Sequence, residues 1–206
     1  MRSPAGNGRR GMGDLVLETE RLVLRKIDED DAALQFRILN TPAVMRHLGG
    51  VKELHEIEAK HARAMASFAR EGFGFMMMIE KAHNGLPGGE LVGHCGIKRV
   101  DNPLAPNGGD HEIGWLVRED RWRRGYAFEA MEAVIEWGFG RVGAPHLVAL
   151  TCETNTGSWR LMEKLGMVRR KDLDFVDPAF PDKDNPTIQY SITKAQWEER
   201  TCTAPA

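Results

Sequence analysis

The stretch RWRRGYAFEA, Arg121 to Ala130, constrains the fold of this chain more than any other. HEIGWLV, His111 to Val117, precedes it and reads as a strand; the amphipathic run that it opens continues as a helix to about Phe139. The first N–H groups of a helix have no internal partner, and the macrodipole adds roughly half a positive charge there. Arginines at such a place repel the helix end unless an anion sits among them. Gly125 lets the backbone approach that anion closely and adopt unusual dihedrals. Ala127 keeps the next turn slim, and Arg123 and Arg124 can reach phosphate oxygens. A solvated basic turn is the plainer alternative. GxGxxG and GxxxxGKS/T are both absent, which disfavours a dinucleotide turn and a P-loop. Along the helix, Ala127, Ala130, Met131, Val134 and Ile135 make the buried face, with Glu129, Glu132 and Glu136 toward solvent.

The rest of the chain supplies a mixed sheet around this unit. ERLVLRKI (Glu20 to Ile27) alternates as a strand, with Leu22 and Leu24 on one face and Val23 and Arg25 on the other. Asp28 to Asn40 reads as a helix with acids in its first turn, and Glu53 to Glu71 as a long second helix, with Ile57, His61, Ala64, Met65 and Phe68 at helical spacing. Phe73 to Lys81 and Glu90 to Val100 read as strands joined by the turn AHNGLPGG. Met76 to Met78 falls in strand core. HLVALTC (His146 to Cys152) is a continuous apolar, buried strand. Asn155 to Gly166 is a short helix with Ser158, Leu161, Met162 and Leu165 on one face. MVRRKDLDFV and TIQYSIT close the sheet, and the tail after Gln196 is helical, then frayed. The class is α/β, in one domain over 15–200.

Composition excludes several functions. With 206 residues, 42% of them hydrophobic, the chain supports one ample core. A net charge of −2 gives no broad basic surface for nucleic acid. No apolar run approaches the roughly 18 residues that span a bilayer, so no membrane partner is expected. Residues 1–14 read as a disordered leader without the apolar segment of a secretory signal, and 201–206 as a frayed tail. Three cysteines without framework spacing fit a reduced, cytoplasmic setting. His94, Cys95, His111 and Cys152 lack any metal-binding spacing, so no metal is expected. Cys95 and Cys152 read as buried core thiols.

EIGWLVREDRWRRGYAFEAM resembles the acetyl-CoA pyrophosphate motif of the GNAT N-acetyltransferases. Gly125 and Ala127 fit the family pattern Gln/Arg-x-x-Gly-x-Gly/Ala, while Trp122 stands at the Gln/Arg position. TERLVLR near the start and NTGSWRLMEKLGM later resemble the branch of ribosomal-protein N-terminal acetyltransferases, and the likeness spans about Leu17 to Thr193. It implies a mostly antiparallel sheet splayed between two parallel strands, with helices on both faces, and acetyl-CoA as cosubstrate. Trp115, Leu116 and Val117 would line the pantetheine arm, with Gly114 at a bulge where the strand parts from Leu147 to Thr151. Trp122, Arg123, Arg124, Gly125, Tyr126 and Ala127 would hold the pyrophosphate. Asn155 would bind the pantetheine region, and Ser158 would sit near the thioester sulfur and help protonate the departing thiolate. For these two a helix cap and an ordinary first-turn residue are the alternatives.

The acceptor implied is a primary amine, on a protein N-terminus or a small molecule. An α-amine with a pKa of about 8 is roughly one-tenth neutral at pH 7, whereas a lysine at about 10.4 is almost wholly charged. A base therefore matters. Glu112 is the first candidate, with His111 and Glu153 behind it; the alternative for Glu112 is an ordinary strand carboxylate. The Val117 amide would polarise the thioester carbonyl, and transfer would be direct. Acids of the loops Asp101 to Asp110 and Asp177 to Pro186, among them Asp101, Asp110, Asp177, Asp182 and Asp184, would attract a cationic amine, with solvated loop polarity as the plainer alternative. A non-catalytic acetyl-CoA sensor with the same phosphate turn is the competing reading. Oligomeric state is not legible.

Overall fold

The computed structural model describes residues 14–82 and 88–203, with side chains to Arg200. The expected leader, apart from Asp14, the middle of the turn after Ala82 and the side chains of the tail lie outside the described residues. Eight strands form one sheet: β1 Leu15–Glu18, β2 Leu22–Lys26, β3 Phe75–Glu80, β4 Leu91–Arg99, β5 His111–Val117, β6 His146–Cys152, β7 Val168–Arg169 and β8 Thr187–Thr193. Their spatial order is β1-β2-β3-β4-β5-β6-β8-β7, so the last strand in sequence inserts beside β6. Every neighbouring pair is antiparallel except β5 and β6, which run parallel. The helices are α1 Asp31–Leu39, α2 Leu54–Glu71, α3 Tyr126–Trp137, α4 Thr156–Lys164 and α5 Lys194–Thr203.

Strand alternation sorts the apolar residues into two cores. Met76, Met78, Cys95, Ile97, Ile113, Leu147 and Ala149 pack with Ala130, Met131, Val134 and Ile135 of α3. On the opposite face Met77, Leu91 and Leu116 pack with Ile27, Leu39, Val44 and Met45, from α1 and the segments flanking it. The Met76 to Met78 run therefore feeds both cores, and all three side chains are fully buried. Each such side chain withdrawn from water is worth about 1.5–3 kcal/mol. The face with α1 and α2 carries the thinner apolar layer: Ile57 and His61 are the buried residues of α2, and Met65, expected inside, is exposed.

Two strand expectations change. β1 is additional, pairing with β2 from Leu15↔Arg25 to Glu18↔Val23. The strand expected over MVRRKDLDFV is only two residues long. Arg169 grips Asp174 through two 2.6 Å bonds and folds the segment back over a 3-10 turn at Lys171–Leu173; Phe175 rejoins by one bridge to Thr187. Local charge pairing thus overrides the alternation.

Arg25, placed by alternation on the outer face of its strand, is buried. Its guanidinium holds both carboxylate oxygens of Asp31 at 2.6 Å, and Asp31 also takes the Asp28 amide at 2.9 Å. The first-turn acid of α1 is thus the partner of a buried cation more than a complement to the helix dipole. Removing one member of a buried pair costs about 3–5 kcal/mol because the other charge stays behind. Asp31→Ala is expected to lower unfolding stability by about that amount, measured by urea denaturation, with acetyl-CoA binding kept below the transition.

Candidate active site

β5 ends at Val117 and leads into a 3-10 turn, Glu119–Arg121. Trp122 is extended, Arg123 takes φ +61° and Gly125 φ +83° before α3 starts. A left-handed residue other than glycine costs about 1–2 kcal/mol, so the bend at Arg123 is held by what surrounds it. The first intrahelical bond runs from Glu129 N to Gly125 O at 3.0 Å. The amides of Tyr126, Ala127 and Phe128 are the unpaired donors of the helix start. Arg123, Arg124 and Gly125 are exposed around them.

The arginines divide into two kinds. Arg121 is turned inward, pairing with Glu80 at 3.2 Å, Glu90 at 2.9 Å and Asp120 at 3.0 Å. Glu80 is buried and also accepts the Tyr126 hydroxyl. Arg121 therefore neutralises a buried carboxylate beneath the turn, while Arg123 and Arg124 stay exposed. Trp122 donates its indole N–H to Val117 O at 2.7 Å, tying the turn back to the end of β5.

A second buttress comes from about a hundred residues upstream. Thr19 donates to Glu129 Oε1 at 2.5 Å, and the Arg21 amide donates to the same oxygen at 2.7 Å. The Arg21 side chain reaches Glu129 Oε2 at 2.6 Å and Arg124 O at 2.9 Å, and lies 4.4 Å from the centre of the Tyr126 ring. Helical periodicity placed Glu129 toward solvent; instead it locks α3 to the β1–β2 turn. These contacts give TERLVLR a physical role as the support of the turn before α3.

Beside the turn the sheet opens. β5 and β6 are paired in register at Glu112↔Val148. β4 and β5 stay in unbroken register from Gly93↔Val117 to Arg99↔His111, and Arg118 N donates to Val92 O at 2.9 Å. Antiparallel alternation then turns the backbone groups of Trp115 and Val117 away from β4, toward the gap, and those of Leu116 toward β4. Gly114 faces Gly96, and a Cβ on it would meet the Phe75 ring at 2.9 Å, so glycine here makes room for that ring. α4 starts just past the end of β6, so the N-termini of α3 and α4 open at the same end of the gap. Asn155 occupies the cap position of α4 but makes no side-chain capping bond, and Ser158 sits half-buried in the first turn.

Glu112 lies at the point where β5 and β6 part. Its side chain is 15% exposed and 3.2 Å from Lys98 on β4, which also bonds Asp101 at 2.6 Å. Burial pushes the Glu112 carboxyl above its ordinary range, opposed by the Lys98 ammonium. Burial acts to lower the Lys98 ammonium, but Glu112 and Asp101 together hold it above the usual value. A carboxylate shifted upward in this way is a better proton acceptor near neutral pH than a free one.

A sequence model of the GNAT acetyltransferase domain matches residues 21–168. The uncharacterized N-acetyltransferase YoaA of Bacillus subtilis (strain 168) is 30% identical over 153 residues, 73% of this chain and 81% of that protein. The chain belongs to the GNAT acetyltransferase family. A solved acetyltransferase from Agrobacterium tumefaciens str. C58 superposes with a TM-score of 0.68 at 28% identity, over 91% of this chain and 100% of its own. The aminoglycoside acetyltransferase AAC(6')-Ib, solved in complex with coenzyme A, shares the fold at a TM-score of 0.64 and 18% identity, over 87% and 99% of the two chains. The protein is thus a GNAT acyltransferase, with the sheet and the parallel pair of that family.

Within this GNAT frame the other candidates separate. His111 is buried on the opposite face of β5 from Glu112, against Phe73 and 3.3 Å from Arg99; burial and that guanidinium lower its pKa. Glu153 is exposed, and its carbonyl accepts the Trp159 indole. His94 is pushed down to about 3, chiefly by burial, and stays neutral. Cys95 is a core thiol, its pKa raised by burial. Cys152 is buried but does not face the apolar core: it meets Thr154 at 3.3 Å, Asp184 at 3.5 Å and His47 at 3.7 Å. The loop acids are mostly engaged internally. Asp101 holds Lys98, Asp110 pairs with His146 at 2.9 Å, Asp177 accepts from Asn102, and Asp184 binds Thr154 and His47. Sequence spacing could not reveal Arg21, Glu80 or Lys98 as parts of the site, since each acts across strands on a distant residue. No helix among the described residues is long and apolar enough to cross a membrane.

Proposed function

We propose that this GNAT protein transfers the acetyl group of acetyl-CoA directly to a primary amine. The reading is carried by the buried Glu112 carboxyl at the point where β5 and β6 part, with Lys98 beside it. The amides of Arg123 to Ala127, with Arg123 and Arg124, would hold the pyrophosphate, and Trp122 would fix the turn. The gap-facing backbone of Trp115 and Val117 would receive the pantetheine arm, with Leu116 contributing its side chain to the opposite core. The coenzyme A complex of the aminoglycoside acetyltransferase supports acetyl-CoA as the cosubstrate.

Bound acetyl-CoA supplies the activated thioester. Glu112, directly or through one water, takes the proton that the amine must lose. The Val117 N–H, turned to the gap, donates to the thioester oxygen as charge develops there. Ser158 stands at the first turn of α4 to return a proton to the departing sulfur, and Asn155 to bind the pantetheine amide. Both catalytic groups act without a covalent enzyme intermediate.

The acceptor class reads as an amine near neutrality, such as a protein α-amine, for which one base is enough. Screening peptide α-amines, polyamines, aminoglycosides and amino acids with acetyl-CoA, following thiol release, tests the reading. Turnover with at least one class is expected. Tight acetyl-CoA binding with no turnover across all four classes would overturn it in favour of a sensor.

A further inference from the structure

Three segments distant in sequence meet at one polar node on the face of the sheet that packs against α1 and α2. His47 comes from the connection between α1 and α2, Cys152 ends β6, and Asp184 ends a 3-10 turn at Asp182–Asp184. His47 Nδ1 lies 3.1 Å from Asp184 Oδ1 and 3.7 Å from Cys152 Sγ, and Cys152 Sγ lies 3.5 Å from Asp184 Oδ1. Thr154 Oγ1 completes the group, at 2.7 Å from Asp184, 3.3 Å from Cys152 and 3.4 Å from His47. Cys152 and Asp184 are 5% and 3% exposed.

We propose that His47, Cys152 and Asp184 form a binding site for a thiophilic divalent cation of the zinc type, with the Thr154 hydroxyl or a water in the fourth position. Tetrahedral zinc with Zn–N and Zn–O near 2.0–2.1 Å and Zn–S near 2.3 Å sets its ligand atoms about 3.3–3.6 Å apart. The three measured separations bracket that range. The donor set mixes imidazole, thiolate and carboxylate, which zinc accepts and which magnesium or calcium does not favour.

The charge balance points the same way. Thr154, His47 and Cys152 all hydrogen-bond to the buried Asp184 carboxylate. Among the described residues the basic side chain facing it is the His47 imidazole. Three donors converge on the single oxygen Oδ1. A dication at their centre, with the thiol proton released to solvent, balances one thiolate and one carboxylate and leaves the buried node neutral.

The site stands apart from the candidate base Glu112. Cys152 stands four residues along β6 from Val148, the partner of Glu112, which is about 13 Å at strand spacing. A cation there would pin the α1–α2 connection and the loop carrying Asp184 to the end of β6, bracing that edge of the sheet. The geometry alone carries the site, which stands whether or not Glu112 is the base.

The test uses the full chain, stripped of metal and titrated with Co²⁺. One equivalent is expected to give a thiolate-to-cobalt charge-transfer band in the near ultraviolet and strong visible bands of a tetrahedral centre, both erased by Zn²⁺. Cys152→Ser should lose the charge-transfer band, whereas Cys202→Ser should keep it. His47→Gln and Asp184→Asn should each weaken binding by at least about 100-fold, the upper end of what losing an outer-shell partner costs. As a readout free of variants, Zn²⁺ should protect Cys152 from alkylation, seen by peptide mass spectrometry. No charge-transfer band with the wild-type chain, a band that survives Cys152→Ser, or unprotected Cys152 would each show a hydrogen-bonded node only and overturn the proposal.

Discussion

Gly125→Glu is expected to weaken acetyl-CoA binding by more than about 100-fold, or about 2.7 kcal/mol. Gly125 takes φ +83°, and a Cβ there would sit 3.3 Å from Arg21 Nη2. A glutamate meets two penalties at once. The left-handed backbone costs about 1–2 kcal/mol for any residue with a Cβ. Its carboxylate also occupies the positive end of α3, where the unpaired amides and Arg123 and Arg124 are proposed to hold the pyrophosphate, and it competes with Glu129 for Arg21. Gly125→Ala separates the two effects: it carries the backbone strain without the charge. Alanine should lower the melting temperature and weaken binding far less than glutamate. Calorimetric titration with coenzyme A, on variants shown to be folded, reads the difference. Coenzyme A affinity for Gly125→Glu within twofold of wild type would sink the assignment of this turn.

The same residues show where sequence reasoning reaches its end. His111–Val117, His146–Cys152 and Thr187–Thr193 read correctly because their side chains alternate between two covered faces or are buried on both. Glu129 did not, because a 3.6-residue period reports which face lacks an apolar core and says nothing of a polar neighbour. The Thr19 and Arg21 groups that receive it lie more than a hundred positions upstream. Arg121 looked equivalent to Arg123 and Arg124, yet one buried partner, Glu80, gives it a different task. Cys152 has the apolar strand setting of a core thiol, and only β6 ending beside His47 and Asp184 makes its environment polar. In each case the fold was legible from local pattern, while the site depended on pairings that cross the sheet.

Glu112→Gln should lower turnover by about 100- to 10,000-fold, the range that a positioned base contributes, with coenzyme A affinity intact. The amide keeps the shape and the strand pairing but cannot accept the proton. The pH profile separates this role from a structural one. As the proposed base Glu112 works as the carboxylate, and burial lifts its pKa above the ordinary value, so the rate should fall as pH drops through that raised pKa. Lys98 opposes the lift from 3.2 Å. Lys98→Met removes the opposing cation, so the pKa should rise further and the acid limb move to higher pH. Equal rates for wild type and Glu112→Gln between about pH 6 and pH 9, a window around the α-amine pKa of about 8, would remove Glu112 from the reaction. An acid limb that shifts with Lys98→Met and vanishes with Glu112→Gln can come only from proton transfer at this carboxylate, because a purely structural defect would scale the whole profile without moving it.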